Sequence, residues 1–259
     1  MSARLRGLAI AAYAGASMAA LFVCQLPVML VTRSGDFSIW LARAAWARSA
    51  LRLAGVDVKV HVRAALPEGP AIYVSNHESA LDVWALFLAI PCNLRFIAKQ
   101  ELFQIPVFGW YLRLARFIAV DRRDHARAVL SLKKAGEIVR AGTSLVVFPE
   151  GTRSPDGHVQ PFKKGPFVVA MEARVPVVPV AISGAAALNP KGRLEVKSGT
   201  IQVALGEPVH PDDFADKSEL LREVRRRIIE LHRSLGGQGG DVQGAIAMRG
   251  AEGGTPARE

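Results

Sequence analysis

Ala71-Ile72-Tyr73-Val74-Ser75-Asn76-His77-Glu78-Ser79-Ala80-Leu81-Asp82-Val83-Trp84-Ala85-Leu86-Phe87 changes character in its middle. Residues 71–75 form a short apolar run of strand type, and residues 81–87 continue as a helix. His77 and Asp82 lie across the joint. Five helical residues turn through about 500°, so the two side chains share no face if both lie deep in one helix. They meet if His77 stays in the loop and Asp82 points back from the first turn. The carboxylate then accepts a hydrogen bond from one imidazole nitrogen and fixes the tautomer, and the other nitrogen is left to take a proton from a hydroxyl. The competing reading of the same residues is a capping aspartate beside a surface histidine.

A second junction has a related form. Leu145-Val146-Val147-Phe148 is apolar throughout, as a strand buried on both faces should be, and Pro149-Glu150-Gly151-Thr152-Arg153-Ser154 follows it. Pro149 ends the strand, and Gly151 permits a backbone conformation or close approach that a Cβ would hinder. Arg153 is delivered at the carboxyl edge of a sheet, where open α/β folds bind ligands. Its forked donors match two phosphate oxygens. A plain turn with a Glu–Arg surface pair fits the spacing equally well.

Around these junctions, further strand-like runs occupy residues 56–62, 94–98, 117–120, 177–182, 194–197 and 201–205. The first alternates cleanly, with Val56, Val58, Val60 and Val62 on one face. Helical periodicity marks residues 124–141 and a stripe of Leu220, Leu221, Val224, Ile228, Leu231 and Leu235 opposite Arg222, Arg225, Arg226 and Arg233. Such alternation predicts an α/β domain: a central mixed, largely parallel sheet flanked by helices. In Val175-Pro176-Val177-Val178-Pro179-Val180 the two prolines argue for an edge strand or a shaped entrance.

The chain of 259 residues opens differently. Residues 7–32 carry no charge, long enough to cross a hydrocarbon layer of about 30 Å. A second apolar-rich helix is expected over residues 37–54, with Trp40 and Trp46, but Arg43 and Arg52 fall on opposite sides of it. Two helices dipping into one leaflet suit those arginines better than a simple span. The expected organisation is therefore membrane-associated helices over 1–54, a folded domain over 55–235 and a disordered Gly/Ala-rich tail over 236–259. Lys and Arg number 33 against 23 Asp and Glu, a formal charge of +10. No nucleic-acid-binding pattern accompanies that charge, so a solvated surface or an anionic membrane accounts for it better. Cys24 and Cys92 have neither disulfide nor zinc spacing, which suits a chain whose bulk stays in the cytosol.

Asn76-His77-x4-Asp82, the block Ala98-Lys99-Gln100-Glu101-Leu102-Phe103, the segment 148–154 and the proline-bearing run 175–180 match, in order and spacing, the motif set of the glycerolipid acyltransferases. Residues 56–205 resemble that family, most of all its bacterial 1-acyl-sn-glycerol-3-phosphate acyltransferases. The resemblance implies a glycerol-3-phosphate acyltransferase-like fold with a membrane-embedded helical start, in a bacterial inner membrane with the catalytic domain on the cytoplasmic side. It implies His77 as base, Asp82 as its orienting partner, and Glu150, Gly151, Thr152 and Arg153 around a glycerol-phosphate pocket, with Lys99 and Arg122 as helpers. It further implies lysophosphatidic acid as acceptor, acyl-coenzyme A or acyl-acyl carrier protein as donor, and neither cofactor nor metal. One departure stands out: the family's glycine six residues before Arg122 is replaced by Arg116. No Gly-x-Ser-x-Gly nucleophile is present, which favours direct transfer over an acyl-enzyme. Acyl transfer to another lysolipid, such as lyso-ornithine lipid, and a lipid esterase or thioesterase are the alternative readings.

Overall fold

The structure, a computed structural model, describes residues 1–32, 35–121 and 125–241. Helix α1 (Ala3–Thr32) is followed by α2 (Asp36–Leu41), a π-helical turn (Ala42–Trp46) and α3 (Ala47–Ala54). The domain then runs β1 (Val56–Val62), β2 (Ile72–Ser75), α4 (Asp82–Ala89), β3 (Leu94–Lys99), α5 (Phe108–Leu114), β4 (Ile118–Val120), α6 (His125–Arg140), β5 (Ser144–Val147), α7 (Gly165–Ala173), β6 (Val177–Ser183), α8 (Ala185–Leu188), β7 (Gly199–Leu205) and α9 (Lys217–Ser234).

Among the described residues, seven strands join one sheet in the order β1-β7-β6-β2-β5-β3-β4. Of these strand pairs the β6–β7 pair alone is antiparallel, so the mixed, largely parallel sheet is the predicted one. Two apolar layers cover it. One, built from α3, α4 and α5, includes Leu51, Leu86, Phe87, Phe96 and Val180. The other, built from α6, α7 and α9, includes Ile72, Leu145, Phe167, Leu221, Val224 and Ile228, so the leucine stripe of α9 packs on the sheet as its periodicity indicates.

Three expectations are corrected here. Residues 194–197 are not a strand: the Asn189 amide donates to the carbonyls of Arg193 and Glu195, Val196 N–H donates to Ala3, and Lys197 N–H to Leu188, which leaves no ladder to join. Strand β6 is central and fully buried, not an edge, despite its prolines. Pro179 sits just past the end of β7, where its carbonyl accepts from Gly206 and its missing N–H faces the gap between that bond and the Val177–Val209 bridge. Third, Arg225 lies off the solvent face of α9; it is 2% exposed and donates to the carbonyls of Val159 and Gln160.

The helical start docks onto the domain. Gly7, Ile10, Met18, Gln25 and Met29 form the buried face of α1, and a Cβ on Gly7 would stand 1.7 Å from the Leu194 carbonyl oxygen. Trp46 donates its indole N–H to Ser17, and Phe22 meets Trp110 with ring centroids 6.1 Å apart. Arg43 turns inward and donates to the carbonyls of Phe87 and Cys92 near the end of α4, while Arg95, 2% exposed, binds Asp36 of α2 at 2.8 Å. Arg52, on the other side of the helical segment from Arg43, is exposed. Arg116, at the family's glycine position, holds φ 59, a conformation that glycine enters without strain. The Gly/Ala-rich segment after α9 is ordered as far as Asp241, where Val159 N–H donates to Gly239; residues 242–259 lie outside the described residues.

At the carboxyl edge, Asn76 extends the β2–β6 pairing with a side chain. Its amide donates to Ile182 O and accepts from Ile182 N–H, both at 2.8 Å, and the residue is 1% exposed. Asn76→Ala orphans both buried backbone groups at about 1–3 kcal/mol each. A thermal-unfolding comparison in detergent should therefore show a clear loss of stability, and an unshifted midpoint would deny Asn76 this role.

Candidate active site

Parallel strands β6, β2, β5, β3 and β4 all present their carboxyl ends to one edge of the sheet. Because β2 and β5 are neighbours, the loops after them touch. The His77 carbonyl accepts from Ser154 N–H at 2.7 Å, and the Glu150 carboxyl lies close to the His77 backbone. The His77 ring lies against the Phe148 ring with centroids 4.0 Å apart and planes 17° from parallel. The two junctions form one site.

Asp82 occupies the first turn of α4 and is fully buried. Its Oδ2 accepts three hydrogen bonds: His77 Nδ1 at 2.8 Å, Glu78 N–H at 2.7 Å and Ser79 N–H at 2.8 Å. The loop therefore curls around the carboxylate, which also lies at the positive end of the helix. With Nδ1–H donated to Asp82, the lone pair of His77 is on Nε2. That is the tautomer of a general base, and Asp82 stabilises the imidazolium once a proton arrives.

Glu150 is 6% exposed, and its carboxyl accepts from the backbone N–H of Gln160. Burial, with the neighbouring charges of Asp82 and Glu78, pushes its pKa well above the ordinary glutamate range. It lies under the loops and lines no part of the cavity beside them. Gly151 has φ 77, so the turn needs glycine, and a Cβ there would press on the Lys163 side chain at 3.0 Å. Thr152 is exposed.

A cavity of about 600 Å³ adjoins this loop at Ala80 and Leu81. Its walls are mostly apolar: Ile10, Ala14 and Met18 of α1, Trp46, Trp84 and Phe108. Arg153 stands in the wall with Asn189 and Arg193, and among the described residues Arg153 has no ion-pair partner. An apolar chamber with guanidinium groups in its wall suits an amphiphile with an anionic head. Lys99 ends β3 on the same edge, but its amine pairs with Glu101 at 2.9 Å and lies outside the cavity wall. Arg122 lies outside the described residues. Arg193 carried no motif signal, because its loop reaches the cavity only through Asn189, whose Oδ1 accepts from Ser79 of the His77 loop at 3.2 Å.

Residues 57–183 match the family model described as Acyltransferase. The chain is 34% identical over 237 residues to the chloroplastic 1-acyl-sn-glycerol-3-phosphate acyltransferase BAT2 of Brassica napus, covering 89% of this chain and 67% of that protein. It is 34% identical over 177 residues to a 1-acyl-sn-glycerol-3-phosphate acyltransferase of Pseudomonas aeruginosa, covering 68% of this chain and 65% of the other. The chain thus spans about two thirds of the length of these curated relatives. Among solved structures, the 1-acyl-sn-glycerophosphate acyltransferase PlsC of Thermotoga maritima superimposes with a TM-score of 0.76 at 30% identity, over 90% of this chain and 95% of that one. Likeness in both sequence and backbone, sustained over about nine tenths of the chain, means that this chain belongs to the 1-acyl-sn-glycerol-3-phosphate acyltransferase family.

Proposed function

We propose that the chain transfers an acyl group from a thioester, acyl-coenzyme A or acyl-acyl carrier protein, to the sn-2 hydroxyl of 1-acyl-sn-glycerol 3-phosphate, yielding phosphatidic acid for phospholipid synthesis. The observation that carries this reading is the His77 Nδ1–Asp82 Oδ2 contact of 2.8 Å in the loop whose Ala80 and Leu81 line an apolar cavity that holds Arg153. His77 Nε2 takes the hydroxyl proton as the oxygen attacks the thioester carbonyl. The tetrahedral adduct collapses by breaking its C–S bond, and the imidazolium returns the proton to the departing thiolate. The new ester and free thiol complete the balance.

Arg153 grips the phosphate, with Arg193 from the opposite loop, and the apolar wall takes the hydrocarbon. Gly151 and Thr152 shape the turn that aims Arg153. Glu150 acts on the pocket from beneath, through the Gln160 backbone it holds and its place beside the His77 backbone. Lys99 lies on the same sheet edge and supplies positive potential at the approach.

The membrane supplies the acceptor. Exposed Leu5, Leu8, Val23, Leu30 and Val31 on α1, with Phe37, Trp40, Ile105 and Trp110, give the helical start an apolar outer surface. Phe37 and Trp40 stack with centroids 5.8 Å apart, and tryptophan favours the headgroup level. Only 17% of the most apolar window of α1 is buried, while its inner face stays on the domain. This supports residues 1–54 seated in a single leaflet, with residues 55–235 as the catalytic unit on the cytoplasmic side of a bacterial inner membrane.

His77→Ala should lower acyl transfer about 10²–10⁴-fold with folding and membrane association retained; turnover like that of the parent would remove His77 from the chemistry. Arg153→Ala should raise the acceptor KM about 10- to 100-fold with kcat nearly kept, because a charge-assisted contact is lost in ground and transition states alike. An unchanged KM for lysophosphatidate would refute the phosphate assignment. Glu150 binds its proton more tightly folded than unfolded, so its contribution to stability falls as pH rises from about 4.5 towards its raised folded value. Glu150→Gln should flatten that part of the melting-temperature profile, and a profile parallel to the parent's would contradict a raised Glu150 pKa.

A further inference from the structure

Glu78 directly follows the base, yet its side chain turns away from the cavity into the protein, where it is 3% exposed. Its Oε2 accepts from Ala186 N–H at 2.9 Å, at the start of α8, and its Oε1 meets His232 Nε2 at 2.9 Å. His232, at the end of α9, is 1% exposed, and its Nδ1 accepts from Gly239 N–H at 3.0 Å. That last bond decides the tautomer. A backbone N–H facing Nδ1 requires a lone pair there, so Nε2 carries the hydrogen and donates to Glu78.

The chain folds back on this imidazole. Gly237 N–H donates to the His232 carbonyl, and a Cβ on Gly237 would stand 2.4 Å from the ring. Gly239 O accepts from Val159, and Arg225 reaches Asp241, Val159 and Gln160. Gln160 N–H in turn donates to Glu150. The end of α9 and the segment after it therefore hold both carboxyl groups that flank His77 in the chain and in space.

We propose that the buried Glu78–His232 pair, closed by Gly239, is a positioning device for the reaction: it anchors the loop whose backbone and ring form the Asp82 hydrogen-bond set. Glu78 N–H is one of the three donors to Asp82, so fixing the Glu78 side chain fixes that donor and the path of the chain through His77. Neither His232 nor Glu78 touches substrate. The inference rests on His77 being the base of acyl transfer, and it adds that the last helix sets the aim of that base.

The test measures steady-state acyl transfer to lysophosphatidate together with thermal unfolding, on the full chain in detergent micelles. His232→Phe keeps the ring volume but removes both polar atoms. It should lower kcat about 10- to 100-fold, as a misplaced base does, with acceptor KM within about twofold. His232→Gln retains an N–H donor and should recover kcat to within about fivefold of the parent. His232→Phe combined with Glu78→Met removes the uncompensated buried carboxylate, so the melting temperature should return while kcat stays low. Recovery of kcat together with stability in the double variant, or a parental kcat in His232→Phe, would overturn the inference and reduce the pair to a packing element. A parent chain that transfers no acyl group to lysophosphatidate would instead overturn the functional reading beneath it.

Discussion

Three donors converge on one oxygen of Asp82, and the site is arranged around that convergence. An aspartate in the first turn of a helix ordinarily caps its own backbone. Here Oδ2 serves the preceding loop, taking the ring N–H of His77 along with the N–H groups of Glu78 and Ser79. One interaction thereby closes the loop, chooses the histidine tautomer and places a negative charge behind the ring that will carry the proton. Because that charge is buried, the electrostatics nearby must accommodate it. Glu150 does so by holding its proton more tightly than an ordinary glutamate, and Glu78 by pairing with His232.

The sheet gives this loop its counterpart. Strand β5 lies beside β2, so the chain leaving β5 must pass His77, and Phe148, Glu150 and Ser154 each meet a different part of that residue. Ring stacking and an N–H on the carbonyl leave His77 little freedom. The remaining wall comes from outside the α/β layers. Helix α1 lays its small and apolar residues along the cavity while its other face is exposed, so the chamber is bounded by the most apolar element of the chain.

Much of this was legible from residue order. Alternation and apolar runs mark all seven strands, and the two junction motifs name the residues that meet. The misreadings have a common cause. The run 194–197 has strand composition, but its backbone bonds are taken by Asn189, Ala3 and Leu188. Prolines in β6 argue for an edge until the gap past β7 is seen to absorb the missing donor. Glycines after Leu235 read as disorder, yet a Cβ on Gly237 would strike the His232 ring and one on Gly239 the Arg233 side chain. Arg225 has the spacing of a solvent-facing residue and the burial of a core one. In each case a distant segment supplies the partner that local pattern lacks.

The amino-acid order by itself determined the succession of strands and helices, the apolar start, and the placing of a histidine and an aspartate on either side of one strand–helix joint, because period is a local property of the chain. Tertiary structure alone decided that β2 and β5 are neighbours, that Arg193 reaches the cavity wall with Arg153 while Lys99 turns to Glu101, and that Glu78 finds His232. Those outcomes depend on which buried groups find partners once the sheet has closed, and a buried polar atom takes its partner from whatever segment of the chain packs against it.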